Sequence, residues 1–153
     1  MEKQPVEVAI GILLYQDKIL LQLRDNIPTI IYPGCWAMFG GHLEPNENPD
    51  ETILRELAEE IGYVPPKMTK FRTFPSPEVI RHVYYGHVEC EFDQLILGEG
   101  WDMGLWTPED IQKGELYSDK AGEVRPLGSP HQGIIMEFIK DKIESKKYLD
   151  NLL

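Results

Sequence analysis

Residues 41–63 read GHLEPNENPDETILRELAEEIGY, which is an unusually acidic stretch. It holds seven acidic residues and one basic residue, Arg55, so its net charge is −6, whereas the whole chain of 153 residues carries −11. Two kinds of structure explain such a concentration of carboxylates: a solvated helix face or a site for hard divalent cations. The spacing of the acids decides between them.

The middle of this stretch carries the signals of an α-helix. Asn48 is a favourable N-cap, Pro49 suits the first helical position, and Glu51 completes a capping box. Gly62 is typical of a residue that ends a helix. The pattern predicts an acidic loop and then a helix from residue 49 to about residue 61.

Three carboxylates share one side of this predicted helix. At about 100° per residue, Glu56, Glu59 and Glu60 fall within one arc of about 100°. The apolar residues that must face the core fall beside that arc: Ile53, Leu54, Leu57 and Ile61. Like charges at this spacing destabilise a helix by about 0.2–0.5 kcal/mol per pair, and a bound divalent cation reverses the sign. The spacing therefore favours a cation site.

Apolar runs separated by turn residues predict a β-sheet around this helix. Residues 6–15 and 18–24 form a hairpin, residues 25–34 form a loop, and residues 36–39 form a short strand. Residues 71–74 and 79–92 are rich in β-branched and aromatic side chains, which favour two or three more strands.

Two further helices are predicted in the last third of the chain. Thr107 and Pro108 are typical of a helix start, and Gly114 ends that short helix. The final helix is expected to be the longest, beginning at a capping box that Ser129 and Gln132 form. Its apolar face is expected to carry the following residues: Ile135, Phe138, Ile139, Ile143 and Leu149.

Composition excludes several classes of protein. With 42% hydrophobic and 27% charged residues, the chain is typical of a globular protein. No apolar run approaches the ~20 residues of a membrane span, and the acidic amino-terminal residues do not resemble a signal peptide. Cys35 and Cys90 lack the spacing of a disulfide framework or zinc site. We expect a cytoplasmic protein, a monomer or homodimer, that binds neither membranes nor nucleic acid polymers.

The acidic stretch resembles the Nudix box. Gly41 is followed after five residues by Glu47 and after seven more by the segment RELAEEIGY, residues 55–63, which agrees at every fixed position except for a mild departure at Tyr63. A chance match has a probability on the order of 10⁻⁷ at average residue frequencies. With flanking segments that are similar to MutT-like members, the resemblance covers about residues 6–112. It implies one Nudix domain over residues 1–153, an α/β fold in which a mixed β-sheet lies in an α/β/α sandwich.

The resemblance also implies a chemistry, the hydrolysis of a nucleoside diphosphate linked to another group, with Mg²⁺ or Mn²⁺ as cofactor. By position, the expected metal ligands are the carboxylates of Glu56, Glu59 and Glu60 and the carbonyl of Gly40. Glu56 is the candidate that activates the attacking water. Arg55 either orients a carboxylate or forms an ordinary surface ion pair.

An additional acid is expected from a loop after the box. Glu99, in the segment LGEG, is the preferred ligand, Asp102 is the alternative, and both acids could instead solvate a turn. Six side chains could hold phosphate or stack on a base, with core packing as the competing interpretation for each: Arg24, Tyr32, Trp36, Arg72, Arg81 and Tyr84. The following residues are interpreted as structural or rim residues: His42, His82, His87 and His131. Cys90 is assigned to the core.

The choice of substrate depends on weaker signals. A short chain without an added amino-terminal domain favours a nucleoside triphosphate, converted to monophosphate and pyrophosphate as in MutT-like enzymes. ADP-ribose or a nucleotide sugar is the alternative, although Glu78 stands where ADP-ribose hydrolases tend to carry proline, and Pro77 is one place short. A non-catalytic Nudix-derived nucleotide sensor or interaction module is disfavoured, because such a protein would be expected to have lost acids from the box.

Overall fold

A mixed β-sheet forms the centre of the protein, whose computed structural model describes residues 4–144. Within those residues, seven strands join the sheet: β1 (Val6–Tyr15), β2 (Lys18–Leu23), β3 (Trp36–Ala37), β4 (Phe39–His42), β5 (Thr69–Pro75), β6 (Val79–His87) and β7 (Asp102–Trp106). Strand β1 pairs antiparallel with β2 and β4 and parallel with β6, while β5 pairs antiparallel with β6. Strands β3 and β7 both pair antiparallel with β2. A small antiparallel hairpin, β8 (Glu115–Ser118) and β9 (Glu123–Pro126), stands apart.

Helices cover both faces of this sheet. The helical segments are α1 (Pro49–Ile61), α2 (Pro108–Lys113) and α3 (Ser129–Phe138), which a π-helical segment, Ile139–Glu144, extends. Along β1, Ala9 and Leu13 pack into one hydrophobic cluster with α1, whereas Ile10 and Ile12 pack into a second cluster with α2 and α3. This alternation places the helices on opposite sides and confirms the predicted α/β/α sandwich.

The predicted helix of the acidic stretch is confirmed at both ends. The Asn48 side chain accepts from the Glu51 N–H, the Glu51 side chain accepts from the Asn48 N–H, and Gly62 ends α1 in the left-handed conformation. Buried Ile53, Leu57 and other apolar residues fix α1 on the sheet, each contributing about 1.5–3 kcal/mol. The side of α1 next to this apolar stripe carries the acids.

Several sequence-based expectations differ from the structure in detail. The strand expected over residues 36–39 is divided at Met38, because β3 pairs with β2 while β4 pairs with β1. The strand expected to reach residue 92 ends at His87, and Phe92 begins a short 3₁₀ turn. Strands β7, β8 and β9 were not predicted, since their short segments lack a strong apolar pattern. The short helix α2 is confirmed, with Thr107 as N-cap and Gly114 at its end.

The predicted capping box of the final helix is wrong. Gly128 occupies the N-cap and offers no side chain, and the Gln132 amide instead donates to the carbonyl of Ile111, 2.9 Å away. That bond ties α3 to α2. The expected length of the helix reaches beyond the described residues, where Leu149 lies. None of the helices in residues 4–144 has the length and apolarity that crossing a membrane would require.

Glu47 fastens the acidic loop between β4 and α1. Its carboxylate accepts from Arg55 at 2.7 Å (Nε) and 2.9 Å (Nη2), and from the Thr52 hydroxyl at 2.6 Å. The backbone N–H of Glu44 donates to the same carboxylate at 3.0 Å. Because both ends of the loop converge on one charged group, Glu47 holds the loop against the first turns of α1.

We expect Glu47→Gln to lower the free energy of unfolding in a pH-dependent way. The hydrogen bond from Arg55, followed by that from Thr52, lowers the pKa of Glu47 from 4.5 to about 2. Since the folded pKa is depressed, the stabilisation is fully present above pH 4.5 and is lost as the pH falls toward 2. Urea unfolding of both proteins between pH 7 and pH 3 measures this difference.

The control for that experiment is Asp17→Asn, which removes one negative charge from the exposed turn between β1 and β2. It reports the effect of net charge alone. A Glu47→Gln deficit that stayed constant from pH 7 to pH 3 would contradict the assigned role of the carboxylate.

Candidate active site

Glu60, on the last turn of α1, is the buried acid that joins this helix to the sheet. The residue is only 8% exposed. Its carboxylate accepts a hydrogen bond from the Gly40 N–H of β4 at 2.9 Å and another from the Gln22 amide of β2 at 3.1 Å. The Gln22 amide also donates to the Met38 carbonyl at 3.2 Å, which braces the break between β3 and β4. A carboxyl group is thereby positioned at the junction of three elements.

A second carboxylate lies against the first. Burial raises the pKa of Glu60 well above its usual 4.5, the Gly40 N–H opposes that rise, and the adjacent Glu56 carboxylate raises it further. Two carboxyl groups in hydrogen-bonding contact cannot both be ionised without compensation. The pair therefore needs either a proton or a cation between its oxygens.

Glycines at 40 and 41 allow the helix acids to approach the strand. Gly40 has a φ of +146°, and a Cβ there would overlap the backbone oxygen of Ala9. A Cβ on Gly41 would overlap the Glu56 carboxylate. Both glycines lie inside β4, so they bring the backbone close to the acids rather than forming a turn at the strand end.

Arg55 organises the outer acids of α1. Its side chain is 23% exposed and lies within 2.9 Å of Glu56 and 3.4 Å of Glu59. It also donates to the His42 carbonyl at 3.1 Å, in addition to its two bonds with Glu47. Hydrogen bonding to Glu47 raises the pKa of Arg55 further, so it is a permanent cation. These contacts exceed those of an ordinary surface ion pair.

One cleft, of about 450 Å³, connects the acids with basic and aromatic groups. Its lining includes four acids, Glu56, Glu60, Glu78 and Glu99, and the two glycines of β4. Other lining residues have a different chemistry: Arg24, Tyr32, Arg81 and His131. A cleft that holds both carboxylates and guanidinium groups suits an anion that a bound cation bridges to the carboxylates.

The loop of residues 25–34 borders the cleft next to Arg24. The Nε of Arg24 donates to the Ile31 carbonyl at 2.7 Å, which holds the guanidinium beside the loop. Tyr32 has a φ of +54°, a conformation that non-glycine residues seldom adopt, and its ring meets the His131 ring edge-on at 6.2 Å. Observed strain of this kind often accompanies a binding site.

Glu99 and Asp102, the alternative acids of the later loop, occupy different surroundings. Glu99 lines the cleft. Asp102 accepts from the Ser118 hydroxyl at 2.7 Å and from the Met103 N–H at 2.8 Å, and it does not line the cleft. The position of Asp102 gives it a structural role between β7 and β8.

Other candidates lie away from the cleft. Glu59 has a 59% exposed side chain turned toward Arg55. Trp36 is 1% exposed, packs on Trp106 and donates to the Leu116 carbonyl. Tyr84 is buried and bonds to Asp50, and Arg72 pairs with Glu137 and Asp141 at the surface. The structure therefore does not bring Trp36, Tyr84 or Arg72 to Glu56 and Glu60, whereas Glu59 contacts the same Arg55 nitrogen as Glu56 without lining the cleft.

Sequence reasoning missed two polar residues of the site. Gln22 is a buried polar residue in an otherwise apolar strand. This exception to the apolar pattern could have identified it from the sequence as a candidate site residue. His131 was interpreted as structural or rim, and no spacing pattern links it to the cleft. The remaining histidines differ: His42 lines the cleft rim, His82 pairs with Glu7, and His87 is exposed. Cys90 is half-buried and packs against the cluster under α1.

The carboxylate oxygens of Glu56 and Glu60 suit a hard divalent cation that also binds substrate. Among residues 4–144, no group of three or more His, Cys, Asp or Glu side chains is arranged to hold a metal by itself. Mg²⁺ in phosphate-processing sites commonly takes one or two carboxylates and obtains its other ligands from water and substrate phosphates. Glu56 and Glu60, whose contact calls for a proton or cation, meet that requirement.

Comparisons with known proteins identify the family of the chain. The NUDIX domain family model matches residues 5–124. An ADP-ribose pyrophosphatase from Methanocaldococcus jannaschii is 35% identical over 139 residues, which make up 90% of this chain and 75% of that protein.

Solved structures share the fold at lower identity. A MutT NUDIX hydrolase from Burkholderia pseudomallei superposes with a TM-score of 0.68 at 22% identity, covering 88% of this chain and 98% of that one. The NUDIX domain of Shewanella oneidensis NrtR, complexed with ADP ribose, gives 0.69 at 21% identity, covering 92% and 90%. The family match, the relative and the acidic helix against β4 together lead to one conclusion: this chain belongs to the NUDIX domain family and is a hydrolase of phosphoric anhydride bonds.

Proposed function

We propose that this NUDIX hydrolase cleaves ADP-ribose to AMP and ribose 5-phosphate with the help of Mg²⁺ or Mn²⁺. The observation that carries the proposal is the cleft that Glu56, Glu60 and Glu99 line together with Arg24 and Arg81. A substrate with two linked phosphates can contact both a cation on the carboxylates and the guanidinium groups. The ADP-ribose pyrophosphatase relative, 35% identical, supports the choice of substrate.

In this proposal Glu56 and Glu60 would hold the metal, with the carbonyl of Gly40 and the carboxylate of Glu99 as additional candidate ligands. A bound Mg²⁺ would neutralise phosphate charge and polarise the phosphorus. Glu59 was expected as a further ligand, and its contact with Arg55 supports an auxiliary role instead.

The protein side chains supply positioning and proton transfer. Glu56 is the candidate that accepts a proton from the attacking water, because Arg55 holds it at the cleft 2.9 Å from a guanidinium nitrogen. Arg24 and Arg81 bind the phosphate farther from the carboxylates. Tyr32 lies where its ring can contact a base or sugar.

A nucleoside triphosphate is the second candidate substrate. The short chain favoured it, and the metal chemistry is the same for both substrates. The short length of the chain is weak support for a triphosphate, because the residues aligned here make up 75% of a relative named ADP-ribose pyrophosphatase. The two activities differ in their products, so a single assay separates them.

We expect Glu56→Gln and Glu60→Gln to lower kcat by about 100-fold or more, because an amide is a poor ligand for hard cations and cannot accept the proton. Glu59→Gln should lower kcat less, since the Glu59 side chain is 59% exposed and does not line the cleft. Steady-state kinetics with saturating Mg²⁺ measures all three variants, with Glu109→Gln on exposed α2 as the control. Near wild-type kcat in Glu56→Gln would remove that residue from the mechanism.

Metal binding can be measured without turnover. Millimolar Mg²⁺ should raise the melting temperature of the wild-type protein, because it binds the folded carboxylates preferentially. Glu60→Gln should lose most of that rise, while its melting temperature without metal should equal or exceed that of the wild type through relieved repulsion with Glu56. An unchanged Mg²⁺ response in Glu60→Gln would place the metal elsewhere.

Product analysis tests the substrate. With Mg²⁺, ADP-ribose should yield AMP and ribose 5-phosphate without pyrophosphate, whereas a triphosphate would yield a monophosphate and pyrophosphate. A chromatographic assay of a panel containing ADP-ribose, nucleotide sugars and nucleoside triphosphates measures both outcomes. Turnover of triphosphates together with inert ADP-ribose would replace the proposed substrate by the second candidate.

A further inference from the structure

His131, near the start of α3, has one ring nitrogen committed to the protein. Its Nδ1 accepts the backbone N–H of Met38 at 3.1 Å. An imidazole nitrogen that accepts a hydrogen bond carries no proton, so the proton of the neutral ring lies on Nε2. The break between β3 and β4 thus determines which tautomer His131 adopts.

The other ring nitrogen is not used by the protein. His131 lines the cleft, and its Nε2 has no hydrogen-bond partner within residues 4–144. Among the described residues, Nε1 of Trp106 is the one side-chain nitrogen or oxygen atom that is both fully buried and without a hydrogen-bond partner. Since Nε2 of His131 also lacks a partner, it is not fully buried and keeps an accessible surface. Gly128 leaves room beside the ring, because a Cβ there would stand 3.3 Å from Cδ2 of His131.

The surroundings keep this imidazole neutral. Burial lowers the pKa of His131 to about 4, and the positive charges of Arg81 and Arg24 act in the same direction. A neutral imidazole between two guanidinium groups offers one N–H donor of fixed direction. Such a set of donors matches the oxygens of a phosphate group.

We propose that His131 is a substrate-binding residue whose Nε2–H donates to a phosphate oxygen of the nucleotide held between Arg24 and Arg81. This inference rests on the proposed function for the identity of the ligand. His131 lies near the amino-terminal end of α3, and the N–H of Met38, the residue before β4, orients its ring. We therefore assign this end of α3 a part in phosphate recognition.

Two substitutions separate the roles of the two ring nitrogens. In His131→Asn the side-chain oxygen can replace Nδ1 as acceptor for Met38, but nothing replaces Nε2. In His131→Gln the amide nitrogen can reach the position of Nε2, but the acceptor for Met38 is lost. If His131 binds phosphate, substrate binding should be weaker in His131→Asn than in His131→Gln. If its role is purely structural, His131→Gln should be the more impaired variant.

We expect His131→Asn to melt near the wild-type temperature while its KM for ADP-ribose rises about tenfold or more, with a smaller change in kcat. His131→Gln should melt at a lower temperature and keep a KM closer to the wild-type value. His82→Asn, which removes an imidazole outside the cleft, is the control and should leave KM unchanged. An unchanged KM in His131→Asn would overturn the proposal, as would a rise in KM confined to His131→Gln.

Failure of this inference can be told apart from failure of the proposed function. If wild-type protein turns over nucleoside triphosphates only, the same KM comparison is made with ATP. If neither compound is hydrolysed, the proposed function fails, and calorimetric titration of ADP-ribose into wild type and His131→Asn decides the inference. Weaker binding to the variant supports a donor role for Nε2, and equal or absent binding in both proteins rejects it.

Discussion

The buried carboxylate of Glu60 is the constraint on which the site depends. It accepts from Gly40 on β4 and from Gln22 on β2, so the last turn of α1 can occupy only one position over the sheet. Burying an ionised carboxylate is costly unless it is paired, and here its neighbour is a second acid, Glu56. The fold stabilises this arrangement through the apolar side of α1 and leaves the acids in need of positive charge.

That need is met in part by arginine side chains. Arg55 contacts Glu47, Glu56 and Glu59 and fixes the acidic loop. Arg24 and Arg81 line the cleft together with Glu56 and Glu60. The net charge of −11 is therefore compatible with an anionic substrate, because the cleft itself contains cationic groups.

The helix, its caps and its acids could be predicted from the sequence because those features depend on neighbours within a few residues. Asn48, Gly62 and the spacing of Glu56 and Glu60 required no tertiary information. The division of β3 from β4 at Met38 could not be predicted, since it depends on the pairing of the two strands with different neighbours. The position of His131 in the cleft could not be predicted either, since it depends on a contact with Met38 across 93 residues of sequence. Trp36 and Tyr84 carry suitable rings, but their burial is decided by the sheet and not by the local pattern.

The position of a bound metal ion is the most direct test of the site assignment. Crystals of the protein grown with Mn²⁺ would reveal the ion through its anomalous scattering. We expect an anomalous peak within the cleft, in contact with the carboxylates of Glu56 and Glu60 and near the carbonyl of Gly40. A peak on the outer side of α1 at Glu59, or an empty cleft at saturating Mn²⁺, would contradict it.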